Sequence, residues 1–200
     1  MGKMNLLKSK WDGKVGQTVG AKWKNKATIR TYSIPSNPNT QAQRTVRGAF
    51  KTLTSFIALF AEGIKYLSPL DTSGMSVRNA IIKLNKAMIQ TGTVTLADLQ
   101  VAKGGLQKPQ TFAANLSGNN VAVTWVKPTA TNFTEEAKLV VIAVDAENQI
   151  AEVFEADYDD ESATGTVTFA SGSEIEVYAY YLDKRGSNKI GSNSVHAQIA

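Results

Sequence analysis

The chain has no cysteine and only one histidine, His196, in its 200 residues. The absence of cysteine excludes disulfides, thiolate nucleophiles and cysteine metal sites, so the fold must hold by packing. One imidazole cannot build a multi-histidine metal site, and a catalytic triad would have to centre on that single ring. In the alternating segment near the C-terminus, His196 reads as a surface or half-buried strand residue. Long apolar runs are also missing. The most apolar stretch, 56–59, falls far short of the roughly 20 residues a membrane-spanning helix needs. The basic opening with Lys3, Lys8 and Lys10 is not followed by the apolar core of a secretory signal. The expectation is a chain made in a bacterial cytoplasm, with no membrane contact. Acidic residues are scarce in the first half: residues 1–108 carry 17 Lys or Arg against 4 Asp or Glu, a net of +13. Residues 109–200 carry 5 against 13, a net of −8. A molecule with opposite poles can attract copies of itself, or seat its basic end on a polyanion.

The first forty residues are punctuated by Gly13, Gly16 and Gly20. Alternation around Ala21, Trp23, Ala27, Ile29 and Thr31, with Asn25-Lys26 as a tight turn, predicts a hairpin over 21–32. Trp23 and Ile29 would form its apolar face, with Lys22, Lys24, Lys26 and Arg30 on the other. Two strands alone are marginal in water, so this hairpin needs cover from its own helix or from a neighbouring chain. Pro35 and Pro38 favour extended chain. Thr40, followed three residues on by Gln43, matches a capping box and predicts a helix over 41–67. Val46, Phe50, Leu53, Ile57, Phe60, Ile64 and Leu67 alternate at spacings of four and three, an apolar stripe that must be buried. The first six of these are expected to form an assembly interface, with the second helix as the plainer alternative cover. That second helix is predicted over 73–90 (Val77, Ile81, Leu84, Met88), stopped by Gly92 and paired antiparallel with the first. Residues 94–103 suggest a strand joined to the hairpin. The Gly104-Gly105 to Pro109 stretch reads as a linker, and the charge changes sign just after it. The expected domains are therefore 1–105, a basic arm with a helical hairpin, and 109–200.

From residue 110 the pattern is all-β. Short alternating segments at 110–116, 120–126, 138–145, 149–156, 163–169, 174–182 and 193–199 are separated by turn signals, the pattern of a β-sandwich. Val121-Ala122-Val123-Thr124-Trp125-Val126-Lys127-Pro128 resembles the second strand of a fibronectin type III domain. Val177-Tyr178-Ala179-Tyr180-Tyr181, then Arg185-Gly186 and Ser192-Asn193-Ser194-Val195, resemble that family's sixth strand, glycine loop and last strand. The resemblance implies an immunoglobulin/fibronectin III-like sandwich behind an α+β N-terminal domain, and says little about function. The N-terminal half is similar to an uncharacterised family common in Bacteroidota genomes and their phages. The likeness lies in Lys14-Val15-Gly16, Trp23-Lys24-Asn25-Lys26, Ile29-Arg30 and Asn37-Pro38-Asn39-Thr40-Gln41-Ala42-Gln43, with Arg44 or Arg47 and Phe50. Similar Asn-Pro-x-Thr-x-x-Gln openings occur in phage structural proteins. The resemblance implies a virion component and carries over no catalytic residue.

Several constellations bear on chemistry. Lys14, Lys22, Trp23, Lys24, Lys26, Arg30, Arg44 and Arg47 form a basic arm interleaved with aromatics. Such an arm suits contact with an acidic subunit or with phosphates and unstacked bases. Gly13-Lys14-Val15-Gly16 lacks the spacing and the Lys-Ser/Thr ending of a phosphate loop. Asp157-Tyr158-Asp159-Asp160-Glu161 lacks the glycine and spacing of an EF-hand and reads as a solvated loop. Alternatively Glu152, Glu155, Asp157, Asp159, Asp160 and Glu161 form an acidic surface that docks the basic arm of another copy. No acid lies beside a nucleophile or histidine motif, so no enzyme, cofactor, metal or small-molecule substrate is expected. The reading is a structural subunit of a bacteriophage virion (tail, connector or capsid surface) whose partners are its own copies and other virion proteins. Two alternatives stay open: a nucleic-acid-binding protein packaged with the genome, and a surface adhesion module. The scarcity of exposed-looking aromatics in the sandwich loops, where Phe133 is one of few, argues mildly against adhesion.

Overall fold

The computed structural model describes residues 13–23, 26–34, 36, 38–129, 132–169, 172, 174–185 and 188–199. The chain divides into two compact units, Met1–Thr40 and Gln41–Ala200.

The first unit is an antiparallel meander of β1 (Gly13–Val15), β2 (Thr18–Trp23) and β3 (Lys26–Thr31). Gly16, at φ 58°, supplies the left-handed residue that the two-residue β1–β2 connection needs. The second hairpin pairs Trp23 with Lys26, so Lys26 belongs to β3 and not to the tight turn the sequence suggested; Asn25 lies outside the described residues. That register also removes the expected apolar face. Ile29 stands opposite Gly20, and Trp23 lies an odd number of residues from Gly20, so the positions of Ile29 and Trp23 fall on opposite sheet faces.

The second unit begins with α1 (Gln41–Phe60) directly after Thr40. The helix stops seven residues short of the predicted end. Residues 61–67 continue as turns, and a Cβ on Gly63 would come within 2.8 Å of the Val153 side chain. Glycine is a poor helix former, and here it lets the turn approach a strand closely. The predicted second helix is two pieces. In α2 (Val77–Leu84), Ser76 caps the start by accepting from the Asn79 N–H. Asn85 interrupts, and α3 (Lys86–Thr91) ends at Gly92 in the left-handed region, at φ 80°. The interruption is specific: the buried Asn85 amide donates to the carbonyls of Ile81 (2.9 Å) and Gln100 (2.7 Å) and accepts from the Gln100 N–H. This bridge brings the following segment onto the helices. Residues 94–103 form no strand; they hold a short 3-10 turn at Leu96–Asp98, and Leu99, Val101 and Ala102 are buried.

All the strand pairs of this unit are antiparallel. One sheet has the order β4 (Gln110–Ser117), β5 (Asn120–Val126), β8 (Ser162–Thr168). The other runs β10 (Asn188–Gly191), β9 (Ile175–Arg185), β6 (Lys138–Asp145), β7 (Ile150–Asp157), and β11 (Val195–Ile199) also pairs with β9. The short β10 was not foreseen.

The five-stranded sheet is buried on both faces. Leu139, Val141, Ala143, Val177, Ala179 and Tyr181 pack with Val121, Val123, Trp125 and Phe169 of the three-stranded side. Val140, Ile142, Val144, Tyr178, Tyr180 and Leu182 pack instead with Leu53, Phe56, Ile57, Phe60 and Ile81 of the helices. Alternate side chains thus enter two different cores. Burying each such aliphatic side chain is worth about 1.5–3 kcal/mol, so the helices are an integral third layer. The Tyr178 hydroxyl donates to the Leu96 carbonyl (2.8 Å) and the Tyr180 hydroxyl to that of Leu67 (3.2 Å), tying helical-layer loops to the sheet. Burial pushes both hydroxyls above the ordinary tyrosine pKa.

The boundary predicted at 105–109 therefore lies inside one unit. Gly104-Gly105 is no linker: a Cβ on Gly104 would sit 1.8 Å from the Gly191 carbonyl oxygen, and Leu106 bridges to Ser192. The glycine that suggested flexibility serves close backbone approach. The charge division moves as well. Residues 1–40 hold eight Lys or Arg and one acid, a net of +7, while residues 41–200 hold fourteen and sixteen, a net of −2.

Candidate interaction surfaces

Among its described side chains the first unit is largely exposed. Both buried apolar clusters lie in the second unit, and none of the buried hydrophobic residues among those described belongs to residues 1–40. Val15, Ile29, Tyr32 and Ile34 are exposed, Ile34 at 81%. The Lys14 ammonium lies 3.7 Å from the centre of the Tyr32 ring, within cation–π range. Arg30 stands opposite Val19 in the ladder, and Lys22 and Trp23 stand opposite Ala27 and Lys26. Lys24 lies outside the described residues. Arg44 and Arg47 do not belong to this unit; they lie on the exposed first turns of α1.

The predicted assembly stripe divides. Leu53, Ile57, Phe60 and Ile64 are buried at 1% exposure or less in the chain's own helix–sheet core. They are not available to a neighbouring subunit, because β6 and β9 already cover them. Val46 and Phe50 continue the same stripe into the first turns of α1, where they stay exposed, Phe50 at 47%. Arg44, Arg47 and Lys51 flank them in sequence.

The acidic surface also separates. Along β7 side chains alternate, and Glu152 lies on the inward side with Ile150, Phe154 and Ala156. It is buried at 4%, whereas Glu155 and Asp157 are exposed on the other face. Strand parity overturns the shared surface predicted for these three. Asp159, Asp160 and Glu161 occupy the exposed β7–β8 turn, where the Asp160 carboxylate accepts from the Asp157 N–H (3.3 Å). The outer carboxylates have cations on their own chain. Glu155 is 3.8 Å from Lys184 and Asp159 is 3.3 Å from Lys127, while Asp157 pairs with Lys138. The Asp157 carboxylate, accepting from the Lys138 ammonium, raises that lysine's pKa. Exposed pairs of this kind add little stability, but they reduce the negative field at the patch.

Two further groups are settled by packing. His196 pairs with Glu176 and its ring lies 5.1 Å from that of Tyr178, so it is a half-buried strand residue within a side-chain pair. Phe133 is not a free loop aromatic: it stacks on Tyr158 at 5.4 Å and meets Tyr181 edge-on at 5.1 Å. Among the described residues no group of three or more His, Asp or Glu is placed to hold a metal ion, and no helix is long and apolar enough to cross a membrane.

One feature escaped the sequence reading. A cleft of about 530 Å³ lies where the end of α1 meets α2 and β10, lined by Lys65, Tyr66, Met75, Arg78 and Lys189, with Glu62 as its acid. Its three cations come from segments up to 124 residues apart, and Lys189 sits on the unforeseen β10. No periodicity in the sequence could have gathered them.

No protein-family model matches the chain, and no curated protein is significantly similar to it.

Proposed function

We propose that this chain is a structural subunit of a bacteriophage particle, joined to its neighbours through the N-terminal meander. One observation carries the reading: among the described residues the three-stranded sheet contributes nothing to either buried apolar cluster, and the segment of net charge +7 that holds it exposes Val15, Ile29 and Ile34. Such a sheet is marginal in water by itself and gains stability when another surface covers it. The exposed start of α1, with Val46 and Phe50, offers a separate apolar contact on the second unit. The virion assignment rests on the likeness of the 14–50 region to the phage-associated family. The β-rich part serves as a fibronectin III-like spacer. This is supported by the sheet of β4, β5 and β8 facing the sheet of β6, β7 and β9–β11 across Trp125.

The test is removal of residues 1–32, which spares Thr40 and α1. The shortened chain is expected to melt at the parent's temperature and to run as a monomer in sedimentation, while the full chain associates. Association of the full chain weakens between 50 and 500 mM salt, because attraction between exposed charges is screened over about 8 Å at physiological ionic strength. Normal assembly of the shortened chain overturns the proposal.

A further inference from the structure

The cleft between α1, α2 and β10 carries a second, independent reading. Arg78 projects from α2 and donates one guanidinium N–H to the Thr54 carbonyl at 3.0 Å. The Lys189 ammonium reaches from β10 to the Tyr66 carbonyl at 2.6 Å. Both cations are thus positioned by neutral backbone oxygens. A carbonyl orients a cation without cancelling its charge, and each group keeps further donors: a guanidinium has five N–H bonds and an ammonium three. Lys65 is the third cation. Its neighbour Glu62 is 3.7 Å away in a largely solvent-exposed i,i+3 pair, which is weak. Tyr66 stands on the rim, 73% exposed, the most exposed aromatic among the described residues. A large ring left in water beside two held cations and the nearby Lys65 is unexplained by the fold, since Tyr66 belongs to neither buried core.

Cations held at carbonyls suit phosphate oxygens, and an exposed ring beside them suits the face of an unstacked base. The concavity is of a size that admits a nucleotide unit. We propose that this cleft binds single-stranded nucleic acid, with Lys65, Arg78 and Lys189 on consecutive phosphates and Tyr66 stacked on a base. The site lies wholly within the second unit, so it stands whether or not the N-terminal meander is an assembly arm.

The experiment uses the full chain carrying Lys22, Lys24, Lys26 and Arg30 all changed to Ala, which removes competing charge from the meander. Fluorescence anisotropy is recorded with a labelled twenty-nucleotide oligo-dT at several salt concentrations, and poly-glutamate serves as a competitor. Binding is expected to persist in this background. Adding Lys65→Ala, Arg78→Ala and Lys189→Ala should lower the log–log salt slope by about 2, because each phosphate contact with a single strand contributes roughly 0.7. Tyr66→Ala should weaken binding about fivefold or more at constant slope, by loss of one base stack. Arg78→Lys, which keeps the charge and loses the fork, guards against a folding artefact, and thermal melting of each variant checks integrity. Loss of all binding in the meander-neutralised background overturns the proposal, as does an unchanged slope in the triple variant. If poly-glutamate competes as well as unlabelled oligo-dT and Tyr66→Ala changes nothing, the occupant is an acidic protein and the nucleic-acid assignment falls.

Discussion

Strands β2 and β3 form the same kind of antiparallel ladder as β6 and β9, but the two pairs meet solvent very differently. In the β6–β9 pair every residue from Leu139 to Val144 and from Val177 to Leu182 is fully buried, because one face meets helices and the other a second sheet. In β3, Thr28 to Thr31 are all exposed. Backbone hydrogen bonds are present in both, and their net worth is modest because water offers the same bonds to the unfolded chain. What separates the two is the apolar area each ladder takes out of water. The larger unit carries its own cover. The described residues of the meander have the ladder and contribute no buried apolar side chain, which is why it is the part assigned to contact with a partner.

That contrast is sharpest in a pair of truncations. Ile142→Ala, in the doubly buried sheet, should cost about 2–5 kcal/mol in chemical denaturation. Ile29→Ala, in the meander, should stay within about 0.5 kcal/mol. Equal costs would mean that the meander has a core of its own. Next in size is a pair of neighbouring glycines. Gly104→Ala drives a Cβ into the Gly191 carbonyl and should cost about 1–3 kcal/mol or more, whereas Gly105 has nothing within 4 Å and its alanine variant should melt like the parent. If both variants behave alike, residues 104–109 are a linker after all. Two buried tyrosines give a finer contrast within the sheet. Tyr180→Phe loses the bond to Leu67 and should cost about 1 kcal/mol. Tyr181 has a buried hydroxyl without a partner among the described residues, so Tyr181→Phe should be neutral or slightly stabilising by the same measurement.

The smallest effect is a dependence on pH. Asp183 is buried at the end of β9. Burial alone would raise its pKa, but bonds from the Thr134 hydroxyl, from Arg185 and from the Thr134 N–H outweigh burial and hold it below the ordinary 3.8. A carboxylate with a lowered folded-state pKa contributes stability that is complete above the unfolded value. The contribution is lost as the pH falls below about 3.8 through the folded value. Asp183→Asn, which cannot titrate, should flatten this acid limb of a melting-temperature profile. An unchanged limb would assign acid sensitivity to other carboxylates.

The contrast also accounts for which expectations held. Local signals were legible. Asn120–Val126 and Lys138–Asp145 lie where alternation and turn residues put them, and α1 begins right after Thr40. Gly92 ends the second helical segment in the left-handed conformation that a C-terminal glycine favours. The faces were harder. The β6 residues 139–144 and the β9 residues 177–182 are unbroken apolar or aromatic runs, which is the pattern of a strand covered on both sides. That signal was in the sequence and pointed to a third layer, yet the glycines at 104–105 and the charge reversal beside them suggested a boundary instead.

The sequence by itself determined the type and approximate span of most elements, because helix caps, turn glycines and apolar spacing act over a few residues. It also determined that the N-terminal segment would be basic. Only the tertiary structure decided that Leu53, Ile57, Phe60 and Ile64 close on the chain's own sheet, that Glu152 points away from Glu155, and that Lys65, Arg78 and Lys189 share one cleft. Each of those outcomes depends on which surfaces come together across long stretches of chain. Burial is non-directional, so an apolar stripe specifies that it will be covered without specifying by what.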